Sequence, residues 1–193
     1  MSDAFNYVAV LVSIVIGLAL TRLLRALSEM IQVANRPRIY WVHILWIVTF
    51  IVQLMLFWWV LYRWRTAPEW TFFLFVWVTI PAILFYLISA ILFPGELETS
   101  GSPDWKDYYY KNRRGVFYIF GAMALLDIVD SALKGRQHLV VELGLPYFGF
   151  MGVWSIGSFI AGTTRNEVYH AIWCLLFPAV MLFFTTWELL KLG

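Results

Sequence analysis

Residues 115–134 read GVFYIFGAMALLDIVDSALK, and this stretch decides the fold of the whole chain. Apart from Asp127, Asp130, Ser131 and Lys134, it is apolar sequence of the kind that lies in lipid. Those four residues fall at i, i+3, i+4 and i+7, so on a helix they form a single polar stripe. A carboxylate at the centre of a bilayer costs roughly 2.5 to 3.5 kcal/mol on insertion scales, so it turns toward protein or water. Neighbouring segments are therefore expected to shield the stripe.

The composition extends that reading outward. The 193 residues are 62% hydrophobic and only 13% charged, where a soluble domain carries about a quarter charged residues. One soluble core cannot take up so much apolar surface, and the apolar runs reach the roughly 20 residues that a helix needs to cross a bilayer. The expected class is an all-α polytopic membrane protein, a bundle of six transmembrane helices forming one domain over 1–193. The spans read as 5–33, 39–64, 70–93, 115–134, 146–163 and 168–190. Turn chemistry separates them: Asn35, Arg36 and Pro37; Thr66, Ala67, Pro68 and Glu69; then residues 94–103, rich in Gly, Ser and acids. Only Thr164, Arg165, Asn166 and Glu167 part the last two spans, which makes those helices antiparallel neighbours. The first run has no basic region before it and continues through Leu24, so it is expected to stay as a span and not to be cleaved as a signal peptide. The net charge of +2 and the placement of basic residues at span ends point to membrane topology and to no nucleic-acid partner. The single cysteine, Cys174, excludes an internal disulfide.

Lys and Arg set the expected orientation. Arg22, Arg25, Arg36, Arg38, Lys106, Lys111, Arg113, Arg114 and Arg165 lie toward one side, against Arg63, Arg65, Lys134, Arg136 and Lys191 on the other. The richer side is the cytoplasmic one, which puts both termini outside and residues 94–114 in a cytoplasmic loop. The second half of that loop, residues 105–111, mixes aromatic and basic side chains and reads as an interfacial anchor. In span one, Ser13, Gly17, Thr21, Arg25 and Ser28 recur at steps of three or four and read as a face that lets another helix approach closely. Gly144, Gly149, Gly152, Gly157 and Gly162 cluster about span five, which is expected to be the most tightly enclosed. A faint internal repeat is also readable, since Pro81-Ala82 in span three and Pro178-Ala179 in span six each sit among apolar and aromatic residues. Two inverted three-helix halves would account for it; so would the general frequency of proline in membrane helices.

Two polar layers follow from helix rise. Ser13, Gln53, Thr79, Asp127 and Ser155, from five different spans, fall within about 5 Å of one depth near mid-bilayer. Such a layer is either a hydrogen-bonded plug that fixes register or the wall of a hydrated path. Arg22 is the expected counter-charge, in reach of Asp127 or Asp130. Nearer the cytoplasm, His43 and His170 each precede a tryptophan by three residues, Trp46 and Trp173, and form an expected inner mouth. A facing histidine pair can relay protons or hold a haem iron. No metalloprotease spacing, serine elbow or phosphate-binding glycine loop is present, so no catalytic or metal-ligating residue is assigned.

Ser2-Asp3-Ala4-Phe5, leading into the first span, slightly resembles the Phe-Ser-Asp signature in the first helix of bacterial relatives of lysosomal potassium channels. The likeness covers four residues and lacks both the preceding Arg and the Phe before Ser-Asp, so it carries no filter residue across. The function expected from the residues is a pathway for a small ion, proton or solute. Asp127 is its centre, Ser13, Gln53, Thr79 and Ser155 its lining, and lipids and further copies of the chain its surroundings. The alternative is a non-transporting membrane subunit that binds a partner protein, a lipid or a cofactor such as haem or quinone through aromatic faces and His43 or His170.

Overall fold

A computed structural model of the protein describes residues 3–32, 39–66, 69–93, 104–135, 137, 140 and 143–190. The turn at 35–37, the segment 94–103, and Ser2, Ala67, Pro68, Arg136 and Lys191 lie outside the described residues. Among the described residues, six α-helices run in order: α1 (Asp3–Gln32), α2 (Trp41–Leu61), α3 (Phe72–Leu92), α4 (Trp105–Leu133), α5 (Gly144–Thr163) and α6 (Glu167–Leu190), with a 3-10 turn at Tyr62–Thr66 after α2. All six are long and apolar enough to cross a membrane. Helix is what lipid demands of such sequences, because no water is present to satisfy an open backbone. The protein is all-α, as its composition requires.

The chain divides into two compact units, Met1–Asn112 and Arg113–Gly193, with the boundary inside α4. In the first unit, α1 packs chiefly on α3 and also on α2. Its buried seam is Val8, Val12, Ile16, Ala19, Leu23, Ala26 and Met30, in steps of three or four. The opposite face shows Tyr7, Val10, Ile14 and Leu18 outward, as a lipid-facing surface does. This corrects the expected packing face: Gly17, Thr21 and Ser28 are exposed, Arg25 pairs with Glu29 at the surface, and nothing stands within 4 Å of a Cβ added at Gly17. Ala19 and Ala26 supply the close approach inside a seam that also buries larger apolar side chains, which the polar stripe cannot do.

The fourth helix differs most from expectation, beginning at Trp105 and not near residue 115. Asp104 starts it as an N-cap, its Oδ1 accepting from the backbone N–H of Lys106 at 2.9 Å and of Asp107 at 3.2 Å. The aromatic run buries rings inside the first unit: Trp105 and Tyr109 are buried, with the Trp105 ring stacked on Phe93 at 5.2 Å and Tyr109 against Tyr40 at 5.3 Å. Mixed aromatic and basic sequence looks the same on a membrane surface as on a helix that buries its rings and leaves Lys111 exposed.

In the second unit, α5 packs on α6 and on α4. Only one face of α5 is enclosed. Ser155, Ser158, Ala161 and Gly162 are buried, while Leu145 and Ile156 face outward at 84% and 63% exposure. The glycines divide accordingly: Gly157 lies against Trp173 and Gly162 against Tyr118, whereas Gly149 and Gly152 meet open space.

Candidate functional site

α4 ends on Gly135, whose φ of 117° terminates the helix in a conformation that favours glycine. The polar stripe occupies the two turns before that stop. Asp127 is six residues from Leu133, about 9 Å of helix rise from the end of a 29-residue element. With the helix starting at Trp105, its midpoint falls at Ile119, so Asp127 sits toward one end of the span.

Two hydrogen-bonded sets form there. The Tyr147 hydroxyl, from the first turn of α5, donates to Asp127 Oδ2 at 2.8 Å and lies 3.0 Å from Ser131 Oγ. Tyr147 is itself buried, at 2% exposure, and its ring packs on Phe184 of α6 at 6.3 Å. One turn further along α4, Lys134 Nζ donates to Asp130 Oδ2 at 2.6 Å as an i,i+4 ion pair, both side chains less than a fifth exposed. Lys134 thus pairs with Asp130 one turn beyond Asp127. A buried phenol reaching from α5 shields Asp127, as the cost of a carboxylate in lipid requires. Sequence alone did not single out Tyr147; its place directly after Pro146 at the start of α5 was the available signal. Tyr147→Phe is expected to lower stability by about 1.5 kcal/mol, through loss of a hydrogen bond to a charged acceptor. Thermal unfolding in detergent would read that loss.

Of the remaining predicted lining residues, Thr79 and Ser13 have hydrogen-bond partners. Thr79 donates to the Phe75 carbonyl of its own helix at 2.8 Å, and Ser13 accepts from Trp58 Nε1 at 3.0 Å. Gln53 Oε1 is buried with no partner among the described residues, and Ser155 is buried on α5. Ser13, Gln53 and Thr79 belong to the first unit, Asp127 and Ser155 to the second. The Arg22 guanidinium lies 5.7 Å from the centre of the Tyr86 ring.

His43 and His170 are fully buried and both serve helix ends. The last carbonyls of a helix have no partner within it. His43, in the first turn of α2, places Nε2 2.9 Å from the Leu92 carbonyl at the end of α3, and the Tyr108 hydroxyl donates to Ile91 O at 3.0 Å. At the end of α5, Arg113 Nε donates to Thr164 O at 2.9 Å and Nη2 to Thr163 O at 3.3 Å, while His170 Nε2 lies 3.1 Å from Thr164 O. Trp46 and Trp173 share the buried faces of their helices with these histidines. Arg113, which sequence reading counted only toward topology, is 6% exposed and ties α4 to α5. Arg113→Met is expected to cost about 2 kcal/mol by leaving the Thr163 carbonyl unpaired. Because His170 shares Thr164 O with it, combining Arg113→Met with His170→Phe should depart from additivity in a thermal-unfolding cycle.

Six helices of membrane-crossing length, one carrying a carboxylate held by a buried phenol, define an integral membrane protein. Comparison with protein-family models, curated proteins and solved structures finds no match to this chain.

Proposed function

We propose that the protein is a small membrane protein that passes protons through a polar path centred on Asp127. The reading is supported by one observation above all: inside apolar helices, the Tyr147 hydroxyl stands in hydrogen-bond reach of both Asp127 and Ser131. Ionisable groups in such positions carry function more often than packing, and a carboxylate beside two hydroxyls accepts and releases protons without a wide passage. A proton fits this set better than a hard divalent cation, which takes six or more oxygens. Among the described residues, no three His, Cys, Asp or Glu side chains group as a metal site.

The same reading keeps both termini outside, from the distribution of Lys and Arg. It also expects a homo-oligomer, supported by the outward-facing Gly17, Thr21 and Ser28 on α1. The test is proton uptake into liposomes holding the purified chain, driven by an imposed membrane potential and read by an internal pH dye. Uptake above protein-free liposomes supports the path; none at any potential favours the non-transporting subunit.

A further inference from the structure

The first unit encloses an acceptor and a donor that no described group satisfies. His43 is completely buried, and its Nε2 faces the Leu92 carbonyl at 2.9 Å. A carbonyl only accepts, so Nε2 carries the proton and Nδ1 carries a lone pair. That Nδ1 is buried and has no hydrogen-bond partner among the described residues. Beside it stands Trp105, 1% exposed, whose Nε1–H is also buried with no described partner. The two rings lie 5.8 Å apart between centres at 60°, and Phe93, Tyr108 and Tyr109 crowd them. Leaving both groups unmade costs about 1 to 3 kcal/mol each.

We propose that a hydroxyl group from outside the chain binds between Trp105 Nε1 and His43 Nδ1, accepting from the indole and donating to the imidazole. A carbonyl or an anion would satisfy the indole alone and a cation the imidazole alone; a hydroxyl satisfies both. The hydroxyl is that of a water or of a lipid-soluble phenol such as a hydroquinone. Tyr108, stacked on His43 at 6.3 Å, and Tyr109, 5.8 Å from it, pack against the imidazole. The site does not involve Asp127 and stands whether or not protons pass there.

The full chain in lipid nanodiscs, with nitrogen-15 in histidine and tryptophan, tests this by magnetic resonance and by titration with 2,3-dimethoxy-5-methylhydroquinone, read through tryptophan fluorescence. Saturable binding that weakens about tenfold in Trp105→Phe, the equivalent of one hydrogen bond, and is weaker for the oxidised quinone, assigns the phenol. Absence of such binding, with His43 Nδ1 resonating as a hydrogen-bonded acceptor in the native chain and as a bare nitrogen in Trp105→Phe, assigns water. A bare Nδ1 in the native chain, with hydroquinone either unbound or bound equally by Trp105→Phe, overturns the proposal. Trp105→Phe leaves the His43 bond to Leu92 in place.

Discussion

Asp127→Asn is expected to reduce proton uptake to the level of protein-free liposomes while the protein still folds. Asn has nearly the volume of Asp, and its carbonyl oxygen accepts from the Tyr147 hydroxyl as the carboxylate does. The link between α4 and α5 therefore survives, and melting should move by no more than the difference between a charged and a neutral acceptor, about 1 kcal/mol. Asn cannot take up or release a proton, so transfer stops there. Tyr147→Phe should slow uptake without abolishing it, because Ser131 remains one turn along the same helix. Uptake unchanged in Asp127→Asn would leave the carboxylate as a clamp that fixes register and nothing more.

Gly157→Ala is expected to destabilise the second unit by about 3 kcal/mol, at the upper end of what overpacking costs. A Cβ at this position would fall 2.6 Å from Trp173 Cζ2 and 2.7 Å from Cζ3, and would meet Cη2 as well. The indole cannot yield cheaply: it is 4% exposed and packs on Phe177 at 5.6 Å, which in turn packs on Phe120 and Trp154. For a chain of this size the loss corresponds to a fall in melting temperature of about 6 to 12 °C. Gly162→Ala should cost less, since the ring it would meet belongs to Tyr118, which is 39% exposed and free to swing outward. Gly149→Ala and Gly152→Ala, facing open space, serve as controls with little effect. Helix propensity alone would stabilise all four variants, since Ala is the better helix former; a Gly157→Ala that is no less stable than Gly149→Ala and Gly152→Ala would mean that the contact with Trp173 sets no cost.

The class of fold was legible because lipid leaves a helix no alternative: an apolar run of about 20 residues has one stable backbone. The start of α4 was not, because residues 105–111 carry charge and aromatic rings together, and only the tertiary partners Tyr40, His43 and Phe93 show that the rings turn inward. The seam of α1 was missed for a related reason. Ser13, Gly17 and Thr21 stand out by chemistry, but in a segment where nearly every residue is apolar, Val12, Ile16 and Ala19 cannot be told from lipid-facing neighbours by periodicity. At the site, Asp127 was conspicuous from sequence, since a carboxylate in lipid needs an explanation. Its phenol partner was not, since a tyrosine near a span end is ordinarily read as part of an aromatic belt. His43 and His170 were read as a pair at an inner mouth, and the hydrogen bonds of their rings to the Leu92 and Thr164 carbonyls, which come from helix ends, carry no signal in the sequence.

The pairing of Asp127 with Tyr147 is tested most directly by infrared spectroscopy of the protein in lipid. The carboxyl band of Asp127 is assigned by its loss in Asp127→Asn. In the native chain it should sit away from the position of a carboxyl in water and move when Tyr147 is replaced by Phe. A band at the aqueous position, unmoved by Tyr147→Phe, would contradict the account.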